Sequence, residues 1–103
     1  MAKKAESILP YDLGKCVICG APYPEMHHAV HGCRRNNADA DKLIVPLCHY
    51  HHMALHNESS QKIAKMFKQI AEKAWISNTI KERSMSESEA IAAWIKRYGK
   101  NYL

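Results

Sequence analysis

The pattern of apolar and polar positions divides the chain into a first half with short strands and a helical second half. Two short apolar runs, Met26 to Val30 and Leu43 to Leu47, are separated by a polar stretch over residues 32–42. This pattern predicts two strands joined by a long loop. After the second run, residues His49 to His56 have a composition compatible with a short helix, and Asn57 is suited to end it.

The second half has the three-and-four spacing of amphipathic helices. A first helix is predicted after Ser59 and Ser60, with an apolar stripe made of Ile63, Met66, Phe67, Ile70, Ala74 and Trp75. A second helix is predicted from the capping box of Ser86 and Glu89 to Gly99, with one face made of Ile91, Trp94, Ile95 and Tyr98. We expect both helices to pack on the strand region, with Trp75 and Trp94 in the core.

The length of 103 residues allows one domain, and its 15 Lys and Arg against 10 Asp and Glu give a net charge of +5. We divide it into a basic, partly disordered arm over residues 1–15, a core over 16–57 and a helical extension over 58–103 that holds most of the positive surplus. No apolar run is long enough to span a membrane, and no signal-peptide core follows Met1. We therefore expect a soluble, cytoplasmic protein with nucleic acid as its leading class of partner.

The cysteines have the spacing of a structural zinc site. Cys16 and Cys19 form a C-x2-C knuckle, and Cys48 and His51 form a C-x2-H pair. Three thiolates and one imidazole make a closed tetrahedral set, which suits structural Zn²⁺ better than a disulfide framework in a reducing cytosol. The fourth cysteine, Cys33, is interpreted as a bystander, and its exchange with His51 as a ligand is the main alternative.

The remaining histidines predict a second metal site. His52 and His56 stand four residues apart and project from one face of the predicted helix. The zinc-protease motif needs a Glu directly after the first His, and Met53 stands there instead, which disfavours a metalloprotease. Either His27 or His28, on the preceding strand, could complete a three-His site with open positions for water and substrate.

With these motifs, the sequence resembles the His-Asn-His (HNH) endonucleases of the ββα-metal type, in particular the small zinc-containing Ref-like branch found in phages. The resemblance rests on Cys16-x2-Cys19, His27-His28-x3-Gly32 and Val45-Pro46-Leu47-Cys48-x2-His51-His52-x3-His56. It implies an α+β fold in which a zinc-stabilised ββα-metal finger is followed by the two C-terminal helices. It also implies hydrolysis of DNA phosphodiester bonds to a 5′-phosphate and a 3′-hydroxyl, in phage recombination or DNA processing in a bacterial host.

The resemblance assigns roles to the histidines one by one. His27 matches a ligand of the catalytic metal, His28 the general base, and His52 and His56 two further ligands of that metal. Neighbouring strand residues point to opposite faces, so His27 and His28 serve one site only if the metal and the attacking water flank the phosphate. The Asn that positions the base in the family is replaced here by Leu43. The residues that remain as candidates for this role are Asn36, Asn37, Asp39 and Asp41, together with a backbone carbonyl.

Contacts to DNA are expected from basic residues on both sides of the motif. Arg34 and Arg35 are predicted to hold phosphates beside the cleaved bond, and Lys62 and Lys65 to lie on a basic helix face. Because few basic residues lie near the motif, we expect a partner or a homodimer to contribute to DNA binding. The resemblance adds a RecA-type recombinase filament as a candidate partner. Mg²⁺, Mn²⁺, Ni²⁺ and Zn²⁺ all remain candidates for the catalytic metal. The alternatives to a general nicking enzyme are a noncatalytic zinc-dependent DNA-binding module and a branched-DNA or recombinase-linked nuclease.

Overall fold

The computed structural model describes residues 7–30, 34–55 and 61–103. Its elements are β1 (Glu25–His28), α1 (Arg35–Ala40), β2 (Ile44–Leu47), α2 (His49–Ala54), α3 (Gln61–Arg83) and α4 (Glu87–Tyr98). The strands pair antiparallel, with His27 opposite Val45 and His28 opposite Ile44. The fold is therefore a mixture of a two-stranded sheet and helices, as predicted, and none of the described helices is long and apolar enough to cross a membrane.

Both predicted strands are present, but the stretch between them is not only a loop. Residues 35–40 form α1, and its only buried side chain is that of Ala38. The expectation of an uninterrupted loop is wrong because a single buried alanine on a six-residue helix leaves no apolar period in the sequence. The backbone N–H of Leu43 donates to the carbonyl of Ala38 at 2.9 Å, which turns the chain from α1 into β2.

The segment before the cysteine knuckle is attached to the sheet. The hydroxyl of Ser7 donates to the carbonyl of Ile44 at 2.7 Å, and the N–H of Ile8 donates to the carbonyl of Lys42 at 3.0 Å. Leu9 is buried in the same hydrophobic cluster as the strand residues. Residues 7–9, which belong to the stretch expected to be a partly disordered arm, thus cover one side of β2.

The long helix α3 buries part of the predicted stripe: Phe67 and Trp75 are buried, and Ile70 and Ala74 pack against the core. Its buried residues are Ala64, Phe67, Ala71, Glu72, Trp75, Ile76 and Thr79. Ile63 and Met66, which were assigned to the apolar stripe, are 37% and 47% exposed. The assignment of these two residues is wrong, because the buried face of α3 is shifted round the helix towards Ala64, Ala71 and Ile76.

The ends of α4 follow the sequence signals. The Ser86 hydroxyl accepts from the N–H of Glu89, the Glu89 carboxylate accepts from the N–H of Ser86, and Gly99 adopts the left-handed conformation with φ of 82°. Trp94 is fully buried, with its ring centroid 5.6 Å from that of Trp75 and 4.1 Å from that of Tyr98. The prediction that both tryptophans lie in the core is confirmed.

Asp41, at the end of α1, joins the helical pair to the strand region. Its carboxylate accepts hydrogen bonds from the indole of Trp75 at 2.9 Å, from Nε of Arg97 at 2.6 Å and from the hydroxyl of Tyr98. The pKa of Arg97 is raised, chiefly by its hydrogen bond to this carboxylate. One side chain therefore fixes α3 and α4 against the connection between the strands.

We predict that Asp41→Ala lowers the free energy of unfolding by about 2 to 4 kcal/mol, because it leaves Arg97 and two aromatic donors without their common acceptor. Urea denaturation followed by tryptophan fluorescence measures this loss. Asp12→Ala is the matched control, since the side chain of Asp12, in an exposed turn, accepts only from the N–H of Gly14 among the described residues. Equal losses for the two variants would contradict the central role of Asp41.

A buried carboxyl group in α3 predicts a pH dependence of stability. Glu72 is fully buried; its Oε1 accepts from the N–H of Tyr102 at 2.7 Å, and its Oε2 has no partner among the described residues. Burial raises the pKa of Glu72, although the hydrogen bond from the N–H of Tyr102 lowers it in part. The folded state therefore holds this proton to higher pH than the unfolded chain does.

A raised pKa in the folded state means that stability falls as the pH rises through the window between the unfolded and folded pKa values. Glu72→Gln removes the titrating carboxyl group, so its free energy of unfolding should improve relative to that of the wild type as the pH rises above about 4, the ordinary pKa of a glutamate. Urea denaturation at several pH values measures the difference. Glu82→Gln, at an exposed position of the same helix, is the control, and parallel curves for wild type and Glu72→Gln would refute the prediction.

Candidate metal centre and histidine site

The four predicted zinc ligands lie together. One ligand atom from each of Cys16, Cys19, Cys48 and His51 lies within 4.8 Å of all the others. The Sγ atoms of Cys19 and Cys48 are 3.8 Å apart, and Nδ1 of His51 lies 3.6 Å from Sγ of Cys16 and 3.2 Å from Sγ of Cys48. Tetrahedral zinc has bonds of about 2.3 Å to sulfur and about 2.0 Å to nitrogen, which require separations of about 3.8 Å and about 3.5 Å. The group can therefore hold a structural metal ion such as zinc.

Local backbone structure brings the four side chains together. The knuckle closes through hydrogen bonds from the N–H of Gly20 to the carbonyl of Cys16 and from the N–H of Cys16 to that of Ala21. Gly20 has a φ of 76°, a conformation that side chains other than hydrogen disfavour. Cys48 is the N-cap of α2, so the first turn of this helix returns His51 to its side. His51 is thus grouped with three cysteines, whereas Cys33 lies outside the described residues.

The environment of Cys16 favours its thiolate. Burial raises the pKa of this thiol, but hydrogen bonds from the backbone of Cys48, Cys19 and Ile18 together outweigh burial and lower the pKa to about 6. Backbone N–H groups directed at sulfur are the usual way in which zinc knuckles stabilise the charge of their thiolates. Among the residues described, this is the only group of three or more possible metal ligands.

A second group of histidines lies where β1 meets α2. His27 is buried on β1, and its ring centroid lies 5.2 Å from that of His52 on α2. Nδ1 of His52 lies 2.8 Å from Oε1 of Glu25, and Nδ1 of His49 lies 3.1 Å from Oε2 of the same carboxylate. The third predicted ligand of this site, His56, lies outside the described residues.

Glu25 is a site residue that the sequence analysis missed. A carboxylate that accepts from Nδ1 fixes the histidine tautomer in which Nε2 carries the lone pair, and this arrangement is common behind metal-bound histidines. The pKa of Glu25 is lowered, chiefly by its hydrogen bonds with His52 and His49. A signal was present in the sequence, because Glu25 and His27 are two residues apart on a strand and so share one face.

His28 faces the opposite side of β1 and meets α1. Its Nε2 lies 3.2 Å from Oδ1 of Asp39, one of the four residues considered as replacements for the missing Asn. The imidazole is 15% exposed, whereas the carboxylate of Asp39 is 74% exposed. The structure therefore gives His28 a carboxylate partner from the segment between the strands. In the described part of the chain, its ring makes no such contact with Asn36, Asn37 or Asp41.

The four predicted DNA-binding residues differ in their surroundings. Arg35, Lys62 and Lys65 are exposed. Arg34 is half-buried, and its guanidinium donates to the carbonyl of Arg97 at 3.2 Å, so it also links α1 to α4. Lys65 lines a cleft with Lys68, Lys100 and Tyr102 at the start of α3. These positions form two separate basic regions, one at α1 and one at the start of α3.

Comparison with known proteins gives no further assignment. No family model, curated protein or solved structure matches this chain.

Proposed function

We propose that the protein is a metal-dependent DNA endonuclease of the HNH type. The observation that supports this most strongly is the pairing of His28 with Asp39. The neighbouring strand residue, His27, has its ring in contact with that of His52. A domain that only binds zinc has no need of an imidazole held by a carboxylate beside a second histidine pair. The resemblance adds a role in phage recombination or DNA processing in the cytoplasm of a bacterial host.

His28 would act as the general base. Asp39 accepts the Nε2–H of the ring, which leaves the lone pair on Nδ1 to take a proton from water. As the proton moves to Nδ1, the water oxygen forms a bond to phosphorus and the bond to the 3′-oxygen breaks. The products are a 5′-phosphate and, after protonation of the leaving oxygen, a 3′-hydroxyl.

The imidazoles of His27, His52 and His56 would hold the catalytic metal. Their donor set fits a divalent ion with open coordination positions, and the contact of Glu25 with Nδ1 of His52 supports metal binding through Nε2. When bound, a divalent ion supplies Lewis-acid stabilisation of the charge on the phosphate and the leaving oxygen. Mg²⁺, Mn²⁺, Ni²⁺ and Zn²⁺ are the ions to compare.

The test is nicking of supercoiled plasmid by the wild type and by His28→Ala, with each of the four ions added in turn. Both proteins are first shown to contain equal structural zinc by metal analysis. Metal-dependent nicking by the wild type that His28→Ala loses is the expected result. No nicking by folded, zinc-loaded wild type with any ion, on linear or branched DNA, with or without a RecA-type filament, would overturn the proposal and favour a noncatalytic DNA-binding module.

A further inference from the structure

A cationic pocket lies between α1, α3 and α4, and neither the zinc ligands nor the histidines of the second site line it. It is lined mainly by Arg34, Asn37, Trp75, Arg83, Lys96 and Arg97 and has a volume of about 370 Å³. Four of these six side chains carry a positive charge, and no carboxylate lines the pocket. A concave surface of this size with one sign of charge concentrates anions.

Two of the four cations are already held in place by the protein. Arg97 is paired with the carboxylate of Asp41, and Arg34 donates to the carbonyl of Arg97. Asn37 also donates to this carbonyl, at 3.1 Å, and so holds α1 beside α4. These contacts give the pocket a fixed wall with two guanidinium groups, whose planar donors suit phosphate oxygens.

Arg83 and Lys96 are the other two cations, and they approach the pocket from α3 and α4. Both are exposed, and neither has an ion pair among the described residues. Arg83 also lines an adjoining cleft that contains Asp41 and Glu82, so acidic groups lie beside the pocket but outside it. Arg83 and Lys96 therefore leave a positive charge in the pocket, opposite the guanidinium groups of Arg34 and Arg97, that a bound anion would neutralise.

From this arrangement we infer that the pocket binds a phosphate of the DNA backbone, at a distance from the bond that is cut. This inference rests on the proposed function for the identity of the anion. Asn37, which lines the pocket, and Asp39, which contacts His28, are two residues apart on α1 and so lie about 200° apart around the helix. The width of α1, about 10 Å, therefore separates the two sites, and successive phosphates of one strand rise by only about 3.4 Å. The pocket would thus hold a phosphate a few nucleotides from the scissile one.

The test compares Arg83→Gln/Lys96→Gln with Lys73→Gln/Lys81→Gln, which removes the same charge from exposed positions of α3 outside the pocket. Binding of a short labelled DNA duplex is measured by fluorescence anisotropy without added divalent metal, from about 50 to 200 mM potassium chloride. Each lost phosphate contact lowers the salt slope by about 0.9, so the pocket variant, which loses one phosphate, should lose about 1 in slope and bind at least about 10-fold more weakly. The control pair should stay close to wild type. Circular dichroism confirms that both variants fold.

The outcomes separate this inference from the proposed function. An unchanged salt slope for Arg83→Gln/Lys96→Gln, or an equal loss for this variant and the control variant, overturns the inference that the pocket binds a phosphate, even if the wild type nicks plasmid. A selective loss of affinity in the pocket variant supports the pocket, even if the wild type cuts no DNA. The absence of any DNA binding by the wild type overturns the pocket as well.

Discussion

Removal of zinc should unfold the protein. Structural zinc contributes an apparent stabilisation of about 10 to 16 kcal/mol in small zinc domains, and the whole stability of a domain is about 5 to 15 kcal/mol. The knuckle has little packing of its own, because Val17 and Ile18 are 36% and 43% exposed. It is joined to the sheet by the hydrogen bond from the N–H of Val17 to the carbonyl of Pro46. Loss of the ion therefore releases the knuckle from the start of α2.

Chelation followed by circular dichroism and thermal melting measures this effect. We expect the cooperative transition to be lost on treatment with a strong chelator and restored by added zinc. Cys48→Ser should lose zinc and the transition together, and Cys33→Ser is the matched control, predicted to keep both. A metal-free chain with the melting transition of the zinc-loaded protein would show that the four ligands have no structural role. Loss of zinc in Cys33→Ser would instead identify Cys33 as a ligand.

The zinc group could be predicted because its signal is local and chemical. Two residues separate Cys16 from Cys19, which suits a turn, and Cys48 and His51 are about one helical turn apart. A set of three thiols and one imidazole at these spacings is typical of structural zinc sites. The ends of α4 were predictable for the same reason, since a capping box and a C-terminal glycine are read within a few residues.

Features that depend on distant packing could not be predicted from the sequence. The buried face of α3 depends on tertiary packing, and it includes Ala64 and Ala71 but not the larger Ile63 and Met66. The helix α1 is held by contacts of its polar residues with α4, such as the hydrogen bond from Asn37 to the carbonyl of Arg97. Such contacts produce no periodic pattern of apolar residues in the sequence. The role of Asp41 as a common acceptor likewise depends on partners more than 30 residues away.

The histidine site falls between these cases. The spacing of His27, His28 and His52 indicated which side chains to consider, but the partner of His28 depended on how the segment between the strands folds. Four residues of that segment were equal candidates, and the short helix α1 brings Asp39 to the ring. Glu25 was missed because its partners, His49 and His52, are on α2, and only strand pairing followed by a tight turn into that helix brings them close.

His28→Ala should lower the rate of plasmid nicking by about 100-fold to 10,000-fold, which is the usual contribution of a general base. The reason is that, in the proposed mechanism, the ring of His28 takes the proton of the attacking water. Zinc content and the melting transition should stay unchanged, since the ring packs on the sheet surface and its hydrogen bond is to an exposed carboxylate. Partial recovery of the rate by added imidazole would identify proton transfer as the missing step.

Asp39→Ala should lower the rate by a smaller factor, about 10-fold, because it removes the orientation of the base but leaves the base in place. Asn36→Ala, at an exposed position of the same helix, is the matched control and should nick at the wild-type rate. The decisive comparison is the double variant. If Asp39 acts through His28, its removal has no further effect once His28 is alanine, whereas an equal loss in both backgrounds would show that Asp39 acts elsewhere, for example by supporting α1.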